Sequence, residues 1–334
     1  MKHQNVSIIG VGTYHPKNKV TNKEIFEHFR KYDKDVASLY NHLGRSERYY
    51  ADPEENSITM GTIAAKRAIE NANVKPEQLD MVVFASDTPE YLIPTNALLI
   101  SREIQSKNAH ILYDMNGNCT GFVTALDQIC RFIQSKKINY ALIVSSVLIS
   151  PWSNMDDELF YGAWGDSSAA VVLKRTEDDQ VTGFIDSEYI SDTSFYRMTT
   201  LPVSGLTRIH DASIDLRIRK AGWEPVDFGF LPENWNIILN NLLSRNDFEI
   251  KDINHFIFSQ FSKPAILETL DILGVEKDPK FYTFVGDKYG YTGHTSPIMG
   301  LSHALKDNKI KKGDNVILSS AGAGYQMSSI LYKF

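Results

Sequence analysis

Cys119 is the residue of this 334-residue sequence best placed to do chemistry. It stands between an apolar run, 110–115, and an amphipathic pattern that predicts a helix from Gly121 to about Lys136. A cysteine at such a strand-to-helix corner has its sulfur near the helix N-terminus, where peptide dipoles and free N–H groups favour the thiolate. The alternative is a small buried cysteine that only packs in the core.

A glycine-rich segment near the end of the chain is the second chemical feature. Residues 319–328 carry Ala-Gly-Ala-Gly after an apolar strand, and a final strand follows over 329–334. Small residues let backbone N–H groups approach a ligand closely. A tight hairpin between the last two strands explains the glycines equally well, and a hairpin tip can also form an oxyanion hole.

Composition favours an ordinary enzyme of the cytoplasm. The chain is 43% hydrophobic with a net charge of −6, and its charges of both signs are interspersed, which argues against nucleic-acid binding. The apolar runs are too short to cross a membrane, and the N-terminus predicts a strand rather than a signal peptide. Cys130 lies on the same predicted helix as Cys119 and is interpreted as core. With only two cysteines, a reducing compartment is expected.

Short apolar strands alternate with helical patterns along the chain, which predicts a layered α/β fold. The predicted strands are 81–85, 140–145, 255–258 and 315–319. The predicted helices are 57–73, with Ser57 as N-cap, 233–245, 263–274 and 297–307. The polar, turn-rich stretch 175–224 is interpreted as a connection between two halves, 1–175 and 176–334.

Two glycines after the first strand, Gly10 and Gly12, suggest part of a dinucleotide-binding loop. His15 stands where the third glycine of that fingerprint belongs. We therefore exclude a dinucleotide site at this position.

Several motifs, in order, resemble the β-ketoacyl-acyl carrier protein synthase III (KAS III) family of the thiolase superfamily, and the likeness runs nearly end to end. The motifs are Thr21-Asn22-Lys23-Glu24-Ile25, Gly44-Arg45-Ser46-Glu47-Arg48, Cys119-Thr120-Gly121-Phe122, Trp164-Gly165-Asp166, Ser259-Gln260, Gly293-His294-Thr295-Ser296 and Ala321-Gly322-Ala323-Gly324. The resemblance implies a thiolase-like duplicated five-layer αβαβα fold. It also implies an acyltransferase with an acyl-cysteine intermediate, working as a homodimer or a related heterodimer.

By the same resemblance, Cys119 is the nucleophile that accepts an acyl group from a thioester. The backbone N–H groups of Cys119 and Ala323 would hold the developing oxyanion. Gly322 and Gly324, beside Ala323 in the hairpin, are assigned to the substrate pocket together with Tyr291. No permanently bound cofactor and no metal are implied.

The sequence departs from the family pattern at the other catalytic positions. Ser259 stands where the family has its histidine. For the family's asparagine, one register places Tyr291 in the position and another places His294 there. We prefer His294, because it puts an imidazole beside the thiol, with a hydroxyl such as that of Ser259 to orient it. The departures favour acyl transfer to oxygen or nitrogen, and leave a Claisen-type carbon–carbon condensation as a second possibility.

The acyl-donor pocket is altered as well. Ser38 and His42 occupy the positions of the family's tryptophan and arginine, which hold the adenine of coenzyme A. We therefore expect an acyl carrier protein thioester to be a better donor than acyl-coenzyme A. Ile93 is expected to reach the acyl pocket of the partner subunit.

Two function classes follow from the sequence. The first is an acyl-transferring enzyme of fatty-acid, polyketide-type or specialised metabolism that works through Cys119. The second is a non-catalytic subunit of a KAS III-like heterodimer, which the loss of the family's histidine at Ser259 would favour.

Overall fold

A mixed sheet of nine strands organises the part of the chain that the computed structural model describes, which is residues 3–334 without the side chains of Lys136 and Lys137. The strands are β1 (His3–Tyr14), β2 (Asn18–Thr21), β3 (Glu47–Tyr50), β4 (Met81–Ala85), β5 (Ile111–Met115), β6 (Tyr140–Val147), β7 (Ser167–Asp178), β8 (Gly183–Phe195), β9 (Thr199–Thr200), β10 (Gly222–Trp223), β11 (His255–Phe258), β12 (Asn315–Gly322) and β13 (Gly324–Lys333). The order in the large sheet is β11-β12-β13-β8-β1-β7-β6-β4-β5. Separate two-stranded ribbons pair β2 with β3 and β9 with β10.

The sheet has two parts that meet at one point. Strands β5, β4, β6, β7 and β1 form the first, and β8, β13, β12 and β11 form the second. Between them only Val6 of β1 and Gly183 of β8 pair, in parallel. The predicted boundary between residues 175 and 176 falls inside β7, three residues before that strand ends.

The helices complete the layers. They are α1 (Asn22–Arg30), α2 (Ala37–Leu43), α3 (Ser57–Asn71), α4 (Asn96–Ile104), α5 (Gly121–Phe132), α6 (Phe160–Ala163), α7 (Phe230–Arg245), α8 (Lys263–Ile272), α9 (Gly286–Tyr289) and α10 (Ser296–Lys306).

Three apolar clusters show how these layers stack. Helices α3 and α4 pack on the outer face of the first half-sheet, and α7 and α8 pack on the outer face of the second. Helices α5 and α10 lie between the two half-sheets and bury their apolar sides against both. Adjacent residues of β4 point to opposite faces, because Val82 belongs to the outer cluster and Val83 to the central one. The five-layer αβαβα fold implied by the motifs is therefore confirmed.

The predicted interpretation of 175–224 is wrong in its first part. Gly183–Phe195 forms the long strand β8, which lies inside the sheet between β13 and β1. Its polar residues lie on the more exposed end of the strand, so the sequence there looked like a connection. Asn56, rather than Ser57, caps α3, and its side-chain oxygen accepts hydrogen bonds from the N–H groups of Ile58 and Thr59.

Candidate active site

Two short helical turns meet in the middle of the molecule. One, Asn118–Thr120, leads into α5, and the other, Gly293–Thr295, leads into α10. Because α5 and α10 share the central layer, the two turns come into contact. The first turn carries Cys119 and the second carries His294, so these two residues lie on facing loops.

The nucleophile turn is held in place by the hairpin between β12 and β13. Asn118 adopts φ +51°, a left-handed conformation that asparagine tolerates, and its side-chain amide donates to the carbonyl of Ala323 at 3.0 Å. Gly322 permits the close approach, because a Cβ there would lie 3.1 Å from the backbone nitrogen of Cys119. The Ser320 hydroxyl also donates to the Cys119 carbonyl at 2.7 Å. The predicted hairpin is thus also a wall of the site.

The sulfur of Cys119 is buried. Three groups act to lower the pKa of its thiol, the Tyr291 hydroxyl first and then the N–H groups of Ala323 and of Cys119 itself. Burial, followed by the negative charge of Asp87, nevertheless raises the pKa of the Cys119 thiol to about 12. The sequence predicts that the helix N-terminus favours the thiolate. In the folded protein burial outweighs the groups that favour the negative charge, and the pKa of the thiol moves upward instead.

Tyr291, two residues before the second turn, is the side chain that comes next to Cys119. It is buried, and its ring packs edge-on against Trp164, with ring centroids 4.5 Å apart, and against Phe261 at 5.3 Å. The Tyr291 N–H donates to the Ala163 carbonyl, and the Tyr291 carbonyl accepts from the Gly165 N–H. These contacts fix the ring so that its hydroxyl points at the sulfur.

We expect Tyr291→Phe to slow the alkylation of Cys119 by iodoacetamide about tenfold at fixed pH. The phenyl ring keeps its packing, but the sulfur loses a donor that lowers its pKa, and a hydrogen bond to a charged group corresponds to about one pKa unit or more. Tyr325→Phe is the matched control, because Tyr325 lines the same cavity and its hydroxyl bonds Asn234 instead. Equal alkylation rates in wild type and Tyr291→Phe would show that the Tyr291 hydroxyl does not affect the pKa of the Cys119 thiol.

His294 is buried beside the site but faces other groups. Its Nδ1 lies 2.5 Å from the Ser145 hydroxyl, and its Nε2 lies 3.2 Å from a carboxylate oxygen of Asp87. A catalytic role for the His294 imidazole beside the thiol stays a prediction, and both ring nitrogens have partners other than the Cys119 sulfur. The physical reason is the turn: Tyr291 and His294 are three residues apart, and the chain directs the tyrosine at the sulfur and the histidine at Asp87.

Ser259 lies at the end of β11, where the sequence pattern predicts it. It is buried, lines the same cavity as Cys119, and its hydroxyl accepts a hydrogen bond from the Ala321 N–H at 3.3 Å. Gln260 next to it bonds the backbone of Phe258, Thr283 and Val285 and so anchors this loop. Ser259 thus contacts the glycine-rich hairpin at the site.

Cys119 opens into a cavity of about 160 Å³. Its apolar and aromatic lining comes from Ile149, Leu159, Phe160, Trp164, Met198, Leu201, Trp223, Phe228, Phe230, Leu231, Phe261 and Tyr325. Such a lining suits an apolar group better than a charged one. Half of these residues lie in the segment 198–231, and three of them, Met198, Leu201 and Trp223, fall in the stretch 175–224 that was interpreted as a connection.

The structure places some of the other predicted pocket residues in the cavity lining and others outside it. Gly322 and Tyr291 line the cavity, whereas Gly324 lies outside its lining. Ile93 is 89% exposed on the segment between β4 and α4. Ser38 and His42 are exposed on α2, also away from the cavity lining.

Asp87 and Ser145 are the site residues that sequence reasoning missed. Each follows or ends a buried parallel strand, Asp87 just after β4 and Ser145 near the end of β6. A polar residue at the carboxyl end of a buried parallel strand is the signal that could have found both.

The structure gives no indication of a metal or a membrane span. Within residues 3–334 as described, no three His, Cys, Asp or Glu side chains are grouped so as to hold a metal ion. None of the described helices is both long and apolar enough to cross a bilayer.

Comparison with known proteins places this site in a family. The family model for 3-oxoacyl-[acyl-carrier-protein] synthase III matches residues 113–193, and the model for its C-terminal part matches residues 243–334. Together they cover more than half of the chain. The chain belongs to the 3-oxoacyl-[acyl-carrier-protein] synthase III family. It is accordingly an enzyme of the acyltransferase class.

Individual relatives span the whole chain. The β-ketoacyl-[acyl-carrier-protein] synthase III of Clostridium perfringens is 29% identical and covers 99% of both chains. That of Ehrlichia canis is 28% identical over 98% of both. The crystal structure of the Aquifex aeolicus synthase III superimposes with a TM-score of 0.85 at 25% identity, covering 99% of this chain and 100% of that one. The synthase III family thus accounts for the fold from end to end.

Proposed function

We propose that this synthase III family member transfers an acyl group from a thioester to Cys119 and then to an acceptor. The observation that carries the proposal is the sulfur of Cys119 at the wall of an aromatic cavity, with the N–H groups of Ala323 and Cys119 directed at it. When a thioester carbonyl is attacked, its oxygen becomes an anion next to the sulfur. Two fixed N–H donors at that place stabilise such an anion.

Loading would begin from the thiol rather than the thiolate. As the Cys119 sulfur attacks the donor thioester, its proton passes to the departing thiolate, so the exchange needs no net proton acceptor. The Tyr291 hydroxyl, hydrogen-bonded to the sulfur, stabilises the charge while it resides there. Ser259, with its hydroxyl on the hairpin, is proposed to keep the Ala321–Ala323 backbone aligned for the oxyanion.

We propose a carrier-protein thioester as the preferred donor. The proposal rests on Ser38 and His42, because a serine cannot stack on an adenine ring as a tryptophan can, and stacking contributes roughly 1 kcal/mol. The acceptor is an oxygen or nitrogen nucleophile or, in the other reaction open to this family, a carbon nucleophile. The product would serve fatty-acid, polyketide-type or specialised biosynthesis.

A homodimer is proposed as the working form. Tyr91, Leu92 and Ile93 form an apolar tip that is 49%, 72% and 89% exposed, respectively. Monomeric proteins seldom leave adjacent large apolar side chains in water. A second copy of this chain, with Ile93 at its acyl pocket, would cover the tip, and sedimentation analysis of the purified protein checks this.

The test is intact-protein mass spectrometry after incubation with matched acyl-coenzyme A and acyl-carrier-protein thioesters of two to twelve carbons. We expect a mass gain of one acyl group, located by fragmentation on Cys119 and not on Cys130, and formed faster from the carrier protein. Equal rates from both donors would overturn the proposed donor preference. A folded protein that gains no acyl group from any donor would instead support a non-catalytic subunit.

A further inference from the structure

Asp87 is an acidic group in the reaction cavity that the loading step does not use. It follows β4, and its carboxylate lines the same cavity as Cys119. Among the described residues of that lining, Asp87 is the single charged side chain. Its charge acts on both reactive groups, because it raises the pKa of the Cys119 thiol and that of the Tyr291 hydroxyl.

Two buried side chains position the Asp87 carboxylate: His294 contacts it, and Ser145 contacts His294. The Nε2 atom of His294 lies 3.2 Å from Oδ1 of Asp87, and Nδ1 lies 2.5 Å from the Ser145 hydroxyl. The imidazole can serve Asp87 in either tautomer. With the proton on Nε2 it donates to the carboxylate and accepts from Ser145, whereas with the proton on Nδ1 it donates to Ser145 and Nε2 accepts from the Asp87 N–H at 3.4 Å. We take the first, because the contact between Nε2 and the carboxylate is the shorter of the two. These contacts hold Oδ1 of Asp87 against His294, while Asp87 also lines the cavity that Cys119 lines.

The negative charge of Asp87 limits which acyl acceptors can bind beside Cys119. A malonyl-type extender brings its own carboxylate to the acyl-cysteine, where Asp87 would repel it, and the described cavity lining supplies no cation to offset this. Ser259, in addition, brings a hydroxyl rather than an imidazole to the cavity. A neutral nucleophile meets no such repulsion and needs a proton acceptor, which a carboxylate provides.

We propose that Asp87 is the proton acceptor for transfer from acyl-Cys119 to a neutral alcohol or amine, and that His294 is the positioning residue that orients its carboxylate. The proposal rests on the proposed function and deepens it by naming the acceptor class and the base.

The step balances without any further reactant. The oxygen or nitrogen of the acceptor uses its lone pair to bond the thioester carbon, and its proton passes to the Asp87 carboxylate. The oxyanion is held by the N–H groups of Cys119 and Ala323. When it collapses, the carbon–sulfur bond breaks, the sulfur leaves with the electron pair and takes the proton from Asp87. The products are an ester or amide, the Cys119 thiol and the Asp87 carboxylate.

The test separates loading from transfer in one experiment. Wild type and variants are loaded with hexanoyl-acyl carrier protein and, in parallel, with hexanoyl-coenzyme A. Excess donor is removed, and the decay of acyl-Cys119 is followed by intact mass in buffer alone and with benzyl alcohol or benzylamine. Water is itself a neutral nucleophile, so decay is measurable even if neither probe is accepted.

Asp87→Asn should slow the decay by about 10²-fold or more, the usual contribution of a general base. It should not slow loading, and is expected to speed it, because the charge that raises the Cys119 pKa is gone. A merely structural defect would slow both steps. Glu90→Gln is the matched control, since this half-buried carboxylate lies on the same segment but outside the cavity lining.

His294 is tested by rescue. His294→Ala should slow decay about tenfold, whereas His294→Gln should restore most of it, because the glutamine amide can still donate an N–H to Asp87. Unchanged decay in Asp87→Asn, or slower loading with unchanged decay, would overturn the assignment. So would efficient carbon dioxide release and condensation with malonyl-coenzyme A by the wild type. If neither wild type nor any variant gains an acyl group, the proposed function is refuted, and this inference is refuted with it.

Discussion

Cys119→Ala should give a folded protein that gains no acyl group and transfers acyl groups at least about 10⁴-fold more slowly than wild type. Removing the nucleophile of a covalent mechanism eliminates the intermediate, so only the contribution of binding and of the oxyanion donors remains. The fold is expected to persist, because the substitution removes one sulfur atom from a residue already partly open to the cavity. Steady-state transfer and intact mass measure the two effects.

Cys130→Ala provides the matched control for this result. Cys130 lies on the same helix, α5, but is fully buried in the central apolar cluster. Its loss should lower the free energy of unfolding by about 1 kcal/mol and leave loading unchanged. An acyl adduct that survives in Cys119→Ala, or one that disappears in Cys130→Ala, would contradict the assignment of the nucleophile.

The sequence was sufficient for the layers and for the position of Cys119 at the start of a helix. Strands such as 81–85 and 255–258 are short apolar runs that the structure buries completely, and the turn before α5 places Cys119 where the pattern predicts it. These features depend on local periodicity and on the ends of helices and strands. Strand β8 was missed because its exposed end is polar, although neighbours on both sides pair with it.

The partners of Cys119 could not be deduced in the same way. Tyr291 and His294 both precede α10, and the side chain that meets the sulfur depends on the turn around Gly290 and Gly293, which adopt φ +70° and +52°. These left-handed conformations rotate the chain and are not encoded by residue spacing. Asp87 comes from a distant segment, and the pKa of the thiol depends on burial that arises only in the assembled core.

Gly12 and its neighbour Gly10, which suggest part of a cofactor loop in the sequence, have a packing role in the structure. Both lie on β1 where helix α3 crosses it. A Cβ on Gly12 would lie 2.1 Å from the carbonyl oxygen of Ala64 and 2.4 Å from the backbone nitrogen of Ala68. These are backbone atoms of α3, so no side-chain rotation can relieve the overlap. The glycines therefore set the distance between this helix and the sheet.

Gly12→Ala should accordingly lower the free energy of unfolding by about 3 kcal/mol or more, since α3 must move away and lose apolar contacts with the first half-sheet. Denaturant unfolding measures this as a lower midpoint. Gly229→Ala is the control, because Gly229 is exposed in a right-handed helical conformation, with φ −58°, and should change stability by less than about 0.5 kcal/mol. An unchanged midpoint in Gly12→Ala would show that β1 and α3 can separate at little cost.

Gly12→Ala should also change the geometry of the active site. Helix α3 begins at Ser57, whose hydroxyl donates to the Thr88 carbonyl at 2.6 Å, and Thr88 directly follows Asp87. A displaced α3 would pull on this bond and shift the carboxylate relative to Cys119, and small misplacements of a catalytic group are costly. The folded fraction of Gly12→Ala should therefore lose acyl-Cys119 more slowly than wild type while loading is retained. Normal decay in the folded fraction would show that the Asp87 segment is held independently of α3.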